Sequence, residues 1–202
     1  MLIYQIVLAC MLLAAVGLSA IGAANYGDWI LEVVPVIFAF PALYFIGKKF
    51  RLSNISYTLL FLYFLLPVIQ GHYGVAHVPA GFELSKILGV TRNSFDRVTH
   101  FAFGLVMVLP VYEILAQVLE SSKTVLRYFM SFSIIMMGAA VYECIELAAH
   151  LFLSKNLSFL FVGGQADFWD TSNDIAMSLI GALITLIIVF IVAKISHKRK
   201  TS

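Results

Sequence analysis

Six long apolar runs constrain this chain of 202 residues more than any other feature of its sequence. A helix needs about 20 mainly apolar residues to cross a hydrocarbon core of roughly 30 Å. The runs cover, approximately, residues 2–24, 29–47, 55–70, 97–119, 128–151 and 174–193. They are too long and too uniformly apolar for the alternating strands of a membrane β-barrel. The sequence therefore predicts an all-α, polytopic membrane bundle of six transmembrane helices.

The rest of the sequence leaves little room for a second domain. Hydrophobic residues make up 61% of the chain, which is more than a soluble core of this size could bury. The polar stretches at 71–95 and 152–172 are too short for soluble domains. Cys10 and Cys144 fall in separate apolar runs, where we expect packing residues and neither a disulfide nor a zinc site. We predict a single integral-membrane domain over residues 1–202, with no nucleic-acid partner.

The basic residues predict the orientation, because Lys and Arg are enriched in short cytoplasmic loops. Nine of the 13 Lys and Arg residues fall after the second run, between the fourth and fifth runs, or after the sixth. They are Lys48, Lys49, Arg51, Lys123, Arg127, Lys194, Lys198, Arg199 and Lys200. With six spans, this distribution places both termini in the cytoplasm.

The acidic residues are concentrated on the opposite, outer side. Nine of the 11 acids lie there, namely Asp28, Glu32, Glu83, Asp96, Glu143, Glu146, Asp167, Asp170 and Asp174. Acids contribute little to the orientation of a membrane protein. Their concentration therefore predicts a polar site that opens outward.

Three of the runs carry a polar stripe with helical spacing at their outer ends. The stripes are Asp96 and His100; Glu143, Glu146 and His150; and Asp167, Asp170 and Asp174. Residues three, four or seven positions apart share one face of a helix. At a rise of about 1.5 Å per residue, the three stripes reach similar depths below the outer surface. His72 and His77, at the outer end of the third run, are placed to overhang them.

A buried group of carboxylates needs positive charge nearby, since a lone carboxylate inside a membrane costs several kcal/mol. Arg92 and Arg97 are one source of that charge. A divalent metal ion is the other, and its identity stays open among Mg, Mn, Fe and Zn. The candidate metal ligands are Asp96, His100, Glu143, Glu146, Asp170 and Asp174. Helical bundles commonly build carboxylate-rich metal sites from residues with this spacing.

Structural interpretations exist for several of these residues. Asp96 could form an interfacial salt bridge with Arg92 or Arg97, and Asp170 could cap the sixth helix. Glu143 and Glu146 lie well inside an apolar run, where an acid is a functional hypothesis by default.

Three further acids are treated separately. Asp28 and Glu32 are expected to form a solvated first turn of the second helix, where the helix dipole favours acids. Glu113 lies in the inner half of the fourth run, about 25 Å along the axis from Asp96, and is given no role.

Four segments carry a resemblance to a known family. They are HYGVAHVP at 72–79, RNSFDRVTHFAFG at 92–104, YECIE at 142–146 and QADFWDTSNDIAMSLIGA at 165–182. They resemble the YjdF family of bacterial inner-membrane proteins, and more loosely the VanZ-like membrane proteins. The resemblance implies a multi-pass protein of the bacterial plasma membrane. It brings no activity with it.

Three functions fit the pattern. The first is a metal-dependent hydrolase or transferase acting on a lipid or lipid-linked headgroup at the outer leaflet. Its catalytic candidates are His72, His100, Glu143 and Asp167, and its substrate-binding candidates are Arg92, Arg97 and Gln165. The second is a proton- or cation-coupled transporter or channel, although no ladder of acids crosses the bilayer. The third is a non-catalytic membrane partner whose polar cluster only locks the bundle.

Overall fold

Seven α-helices account for most of the part of the chain that the computed structural model describes, residues 2–152 and 168–201. They are α1 (Leu2–Ala20), α2 (Tyr26–Lys49), α3 (Asn54–Tyr73), α4 (Pro79–Leu88), α5 (Phe95–Val118), α6 (Thr124–Phe152) and α7 (Asp170–Thr201). The described residues contain no β-strand. All of these helices except α4 are long and apolar enough to cross a membrane. The predicted all-α architecture with six spanning helices is confirmed.

The helix boundaries differ from the predicted runs mainly where polar residues extend a helix. α2 begins at Tyr26, where the Asn25 side chain accepts hydrogen bonds from Gly27 N and Asp28 N. α3 continues to Tyr73, past the polar residues that end its apolar run. An Asn cap and helical polar residues extend a helix without adding to its apolar run, so hydropathy alone misses them.

The short helix α4 was not predicted, because the segment around it was taken as a polar connection. It begins with Pro79 in its first turn and ends at Gly89, whose φ of 67° is left-handed. Proline at the start and glycine just past the end are standard helix boundaries. With ten residues, α4 is too short to span a membrane.

The closest helix pair is α5 with α7, which touch through two glycines. A Cβ on Gly104 would collide with the carbonyl oxygen of Ser178, and a Cβ on Gly181 would lie 2.7 Å from Leu105 N. The hydroxyl of Ser178 donates to the carbonyl oxygen of His100 across 3.0 Å. Small residues and interhelical hydrogen bonds are how membrane helices approach closely. This contact fixes the outer half of α7 against the outer half of α5.

The remaining helices pack on this pair or on one another. α3 packs on α1, α2 and α5, and α6 packs on α5 and α7. Large apolar side chains such as Phe38, Phe45 and Ile187 are exposed around the bundle. In water such surface would be a liability, and in a bilayer lipid tails cover it.

The predicted basic and acidic ends are opposite ends of the bundle. Arg51 N donates to Gln117 Oε1 across 2.8 Å, so the α2–α3 turn meets the C-terminal end of α5. Asp96 lies at the N-terminal end of the same helix. Which end faces the cytoplasm stays a prediction based on the positive charges.

Candidate carboxylate–imidazole site

The first wall of the site is the start of α5. Asp96 and His100 are both buried, and His100 Nε2 lies 3.8 Å from Asp96 Oδ1. Arg92, four residues before Asp96, places Nη2 3.9 Å from Asp96 Oδ2 and pairs through Nη1 with Asp170. The predicted salt bridge between Asp96 and Arg92 therefore exists, and through Asp170 the same arginine also links the segment before α5 to α7.

The second wall is α6, which brings two buried acids to the same depth. Glu143 and Glu146 face α5, and Glu143 Oε1 lies 3.3 Å from His100 Nε2. Tyr142 meets the His100 ring edge-on, with the ring centroids 5.6 Å apart. His100 is therefore held between carboxylates from two helices and one aromatic ring.

The third wall is the first two turns of α7. Asp174 is fully enclosed, whereas Asp170 is half-buried. The end of the site at Arg92 and Asp170 is called its mouth. Acids are favoured in the first turn of a helix, where the dipole is positive. Asp174, Ser178 and Gly181 share one face, so the contact with α5 aims Asp174 into the site.

The six predicted metal ligands come together in three overlapping groups. In each group, one possible ligand atom per residue lies within 4.8 Å of the others. The groups are Asp96, His100 and Glu146; His100, Glu143 and Asp174; and Asp96, Asp170 and Asp174. Such spacing is compatible with a metal ion, because carboxylate oxygens and one imidazole can converge on a single point.

Two buried oxygens in the site have no hydrogen-bond partner among the described residues. They are Oε1 of Glu143 and Oδ1 of Asp174. The contact between Glu143 and His100 is short enough for an ion pair, yet its geometry does not make a hydrogen bond. A buried carboxylate oxygen without a donor is costly. The site therefore favours a bound cation, a proton or a ligand that donates hydrogen bonds.

The other predicted site residues divide into three cases. Arg97 is half-buried and lies near enough to Asp96 to interact electrostatically. His72 does not join the cluster: its Nδ1 lies 2.9 Å from the carbonyl oxygen of Ser19, on the α1 side of α3. Asp167, Gln165 and the side chain of His150 lie outside the described residues.

The expectation for Asp28 and Glu32 was wrong. They are 0% and 3% exposed, and both oxygens of Asp28 and Oε1 of Glu32 lack a hydrogen-bond partner among the described residues. The end of α3 covers them through its glycines. A Cβ on Gly71 would lie 3.2 Å from Glu32 Cβ, and a Cβ on Gly74 would lie 3.5 Å from Asp28 Oδ2. The glycines around HYGV were the available signal, since close approach of another chain segment requires them.

Glu113 has a structural role that the sequence did not reveal. Its Oε2 accepts hydrogen bonds from Ser53 N across 2.9 Å and from Ser56 Oγ across 2.8 Å. Ser53 is the N-cap residue of α3, and its side chain accepts a hydrogen bond from Ser56 N in the first turn. Glu113 therefore reinforces the cap of α3 from the neighbouring helix α5.

The six apolar helices and the buried carboxylates define the class as a polytopic helical membrane protein with an acidic site among its spanning helices. A family model described as "Predicted membrane protein (DUF2238)" matches residues 4–195, so the chain belongs to this family. It is 35% identical over 169 residues to "Inner membrane protein YjdF" of Escherichia coli (strain K12), covering 84% of this chain and 80% of that protein. No solved structure matches the chain.

These relationships confirm the resemblance suggested by the four segments and describe a multi-pass protein of the inner membrane. They assign no activity to the chain.

Proposed function

We propose that the cluster binds a divalent metal ion and that the protein hydrolyses or transfers a lipid or lipid-linked headgroup at the outer leaflet. One observation supports this most directly. Six side chains from three helices offer ligand atoms within 4.8 Å of one another in overlapping groups. Two of their carboxylate oxygens have no hydrogen-bond partner among the residues that the structure describes.

The charge distribution supports a cation on one side of the cluster. Arg92 pairs with Asp170 and approaches Asp96, so its positive charge compensates acids near the mouth. Glu143, Glu146 and Asp174 are buried beside Asp96 and His100, and Oε1 of Glu143 and Oδ1 of Asp174 have no hydrogen-bond partner among the described residues. A buried acid without a compensating charge costs several kcal/mol. A divalent cation near Asp174 would offset that cost.

The chemistry then follows from the position of each group. A bound metal ion would act as a Lewis acid on a phosphoryl or acyl oxygen. Arg92 lies at the mouth, where a guanidinium can hold a phosphate through two hydrogen bonds. We assign the general base to Glu143, because it lies in the cluster while His72 faces α1. Roles for Arg97, Asp167 and Gln165 in binding or catalysis stay predictions.

Transport receives less support. A relay of protons needs titratable groups at successive depths, and Glu113 is the acid of the inner half of α5. Because Glu113 accepts two hydrogen bonds that cap α3, it has a sufficient structural role without a relay.

The proposal is tested by measuring metal in protein purified in detergent and then equilibrated with Mn²⁺ or Zn²⁺. We expect about one ion per chain in the wild type and a strong loss in the double variant Glu146→Gln and Asp174→Asn, since charged oxygen ligands dominate affinity for hard cations. Glu83→Gln is the control, because Glu83 pairs with Lys86 on an exposed face of α4. A wild-type protein that binds neither ion, or a double variant that binds as the wild type does, contradicts the proposal.

A further inference from the structure

A cavity of about 650 Å³ lies beside the carboxylate site, between α2, α3, α5 and α6. Most of its wall is apolar. Its polar residues are Glu32, Gln70, Thr99, His100, Tyr63 and Tyr142. His100 belongs to both the cavity and the carboxylate site, so a molecule in the cavity would contact the site directly.

The cavity opens sideways. α2 packs on α3, α3 packs on α5, and α5 packs on α6. Among the described residues, α6 and α2 do not pack closely on each other to complete the ring. Ile30 and Val34 of α2 and Ile145 of α6 line the cavity and are exposed at this gap. All three belong to membrane-spanning helices. The opening therefore faces the hydrocarbon layer.

Most polar residues of the cavity lie at one end, and the deeper end is lined mainly by aromatic and small residues. Gln70 and Thr99 lie at the level of His100, where the hydroxyl of Thr99 donates to Gln70 Oε1 across 3.2 Å. Along α3, Tyr63 lies about 10 Å deeper than Gln70. Phe103 and Gly138 line this deeper part. A molecule that fits has a polar group at the level of the site and an apolar chain directed toward the middle of the membrane.

We propose that this cavity admits one hydrocarbon chain of a membrane lipid through the gap between α2 and α6, and so presents its headgroup to the carboxylate site. The inference rests on the proposed headgroup chemistry and adds the route and the binding surface. The cavity volume is in the range typical of small-molecule sites. The buried Oε1 of Glu32 lacks a protein donor among the described residues, which favours a headgroup that donates hydrogen bonds.

The test uses a phosphatidylglycerol that carries a photoreactive diazirine on one acyl chain. The protein is reconstituted in vesicles of phosphatidylethanolamine and phosphatidylglycerol that contain this probe. After illumination, mass spectrometry locates the labelled residues. We expect strong labelling of the inner walls, at the segments 63–70 and 138–142, in addition to the outer lipid-facing surface.

Two tryptophan variants on α6 separate the cavity from the general lipid surface. Ile145 and Val141 are each 52% exposed and lie one turn apart, and only Ile145 lines the cavity. Ile145→Trp should reduce labelling of the inner walls several-fold, because the larger ring fills the opening. Val141→Trp should leave the labelling unchanged. If thermal unfolding shows that Ile145→Trp does not fold, Val34→Trp blocks the opening from α2.

Two results would overturn the inference. One is wild-type labelling confined to the outer surface; a dimer in native mass spectrometry would then mean that a second copy covers the gap. The other is inner labelling that neither tryptophan on the opening reduces. Metal content measured on the same sample keeps the two proposals distinct. Inner labelling without bound metal supports the lipid cavity and rejects the metal site. Bound metal without inner labelling supports the metal site and rejects the lipid cavity.

Discussion

At the scale of single residues, acids of similar sequence context have different surroundings. Oδ1 of Asp174 has no hydrogen-bond partner in the described part of the chain, whereas Glu113 accepts two hydrogen bonds at the start of α3. Both lie in long apolar helices. A partner in another helix decides whether such an acid is satisfied or is available to a ligand. Distance along the sequence does not show that partner.

The two hydrogen bonds that Glu113 accepts at the start of α3 lead to a prediction about stability. Glu113→Ala should lower the free energy of unfolding by about 1–2 kcal/mol, because Ser53 N and Ser56 Oγ lose their acceptor. Thermal unfolding in detergent measures the change. Glu83→Ala is the control, since its exposed pair with Lys86 contributes little. Equal unfolding midpoints for the two variants would mean that the cap does not stabilise the protein.

At the scale of helices, the contact between α5 and α7 positions the site. Gly104 and Gly181 allow the two backbones to touch, and the hydroxyl of Thr185 donates to the carbonyl oxygen of Leu105 further along the same seam. His100 and Asp174 lie on these same faces of α5 and α7, one turn or more closer to the mouth of the site. The packing seam and the polar site are thus two parts of one helix interface.

Gly104→Ala should therefore weaken both stability and metal binding. Its Cβ would collide with the carbonyl oxygen of Ser178 and force α5 and α7 apart, and overpacking of this kind costs about 1–3 kcal/mol. Gly17→Ala is a matched control in α1, because its Cβ would meet nothing within 4 Å. That control should be neutral or slightly stabilising. Thermal unfolding and metal content are measured for both. A Gly104→Ala protein as stable as the control would contradict the close packing.

Helical spacing explains why much of the site could be predicted. Asp96, His100, Glu143 and Glu146 repeat at three or four residues within long apolar helices, and the helical rise alone gives their depth. The cover over Asp28 and Glu32 could not be obtained in this way. It depends on how the end of α3 folds back over α2, a contact between segments about forty residues apart. α4 was missed for a related reason, since its ten residues carry no spanning signal.

At the scale of the whole molecule, the charges predict which face is exposed to the cytoplasm. Ile87 on α4 and Val125 at the start of α6 lie at opposite ends, and each is 82% exposed. In a variant with Cys10→Ser and Cys144→Ser, Ile87→Cys should react with a membrane-impermeant maleimide in intact spheroplasts. Val125→Cys should react only after permeabilisation. The reverse pattern would invert the predicted topology and place the site at the cytoplasmic leaflet.

The position of α7 after α5 and α6 in the chain also affects how the site is assembled. Synthesis proceeds from the N-terminus, so α5 and α6 are made before Asp170 and Asp174. Arg92 then lacks its partner on α7, and His100 lacks the serine hydroxyl that later contacts its carbonyl group. The polar residues of α5 and α6 are therefore made before the helix that completes and encloses their site.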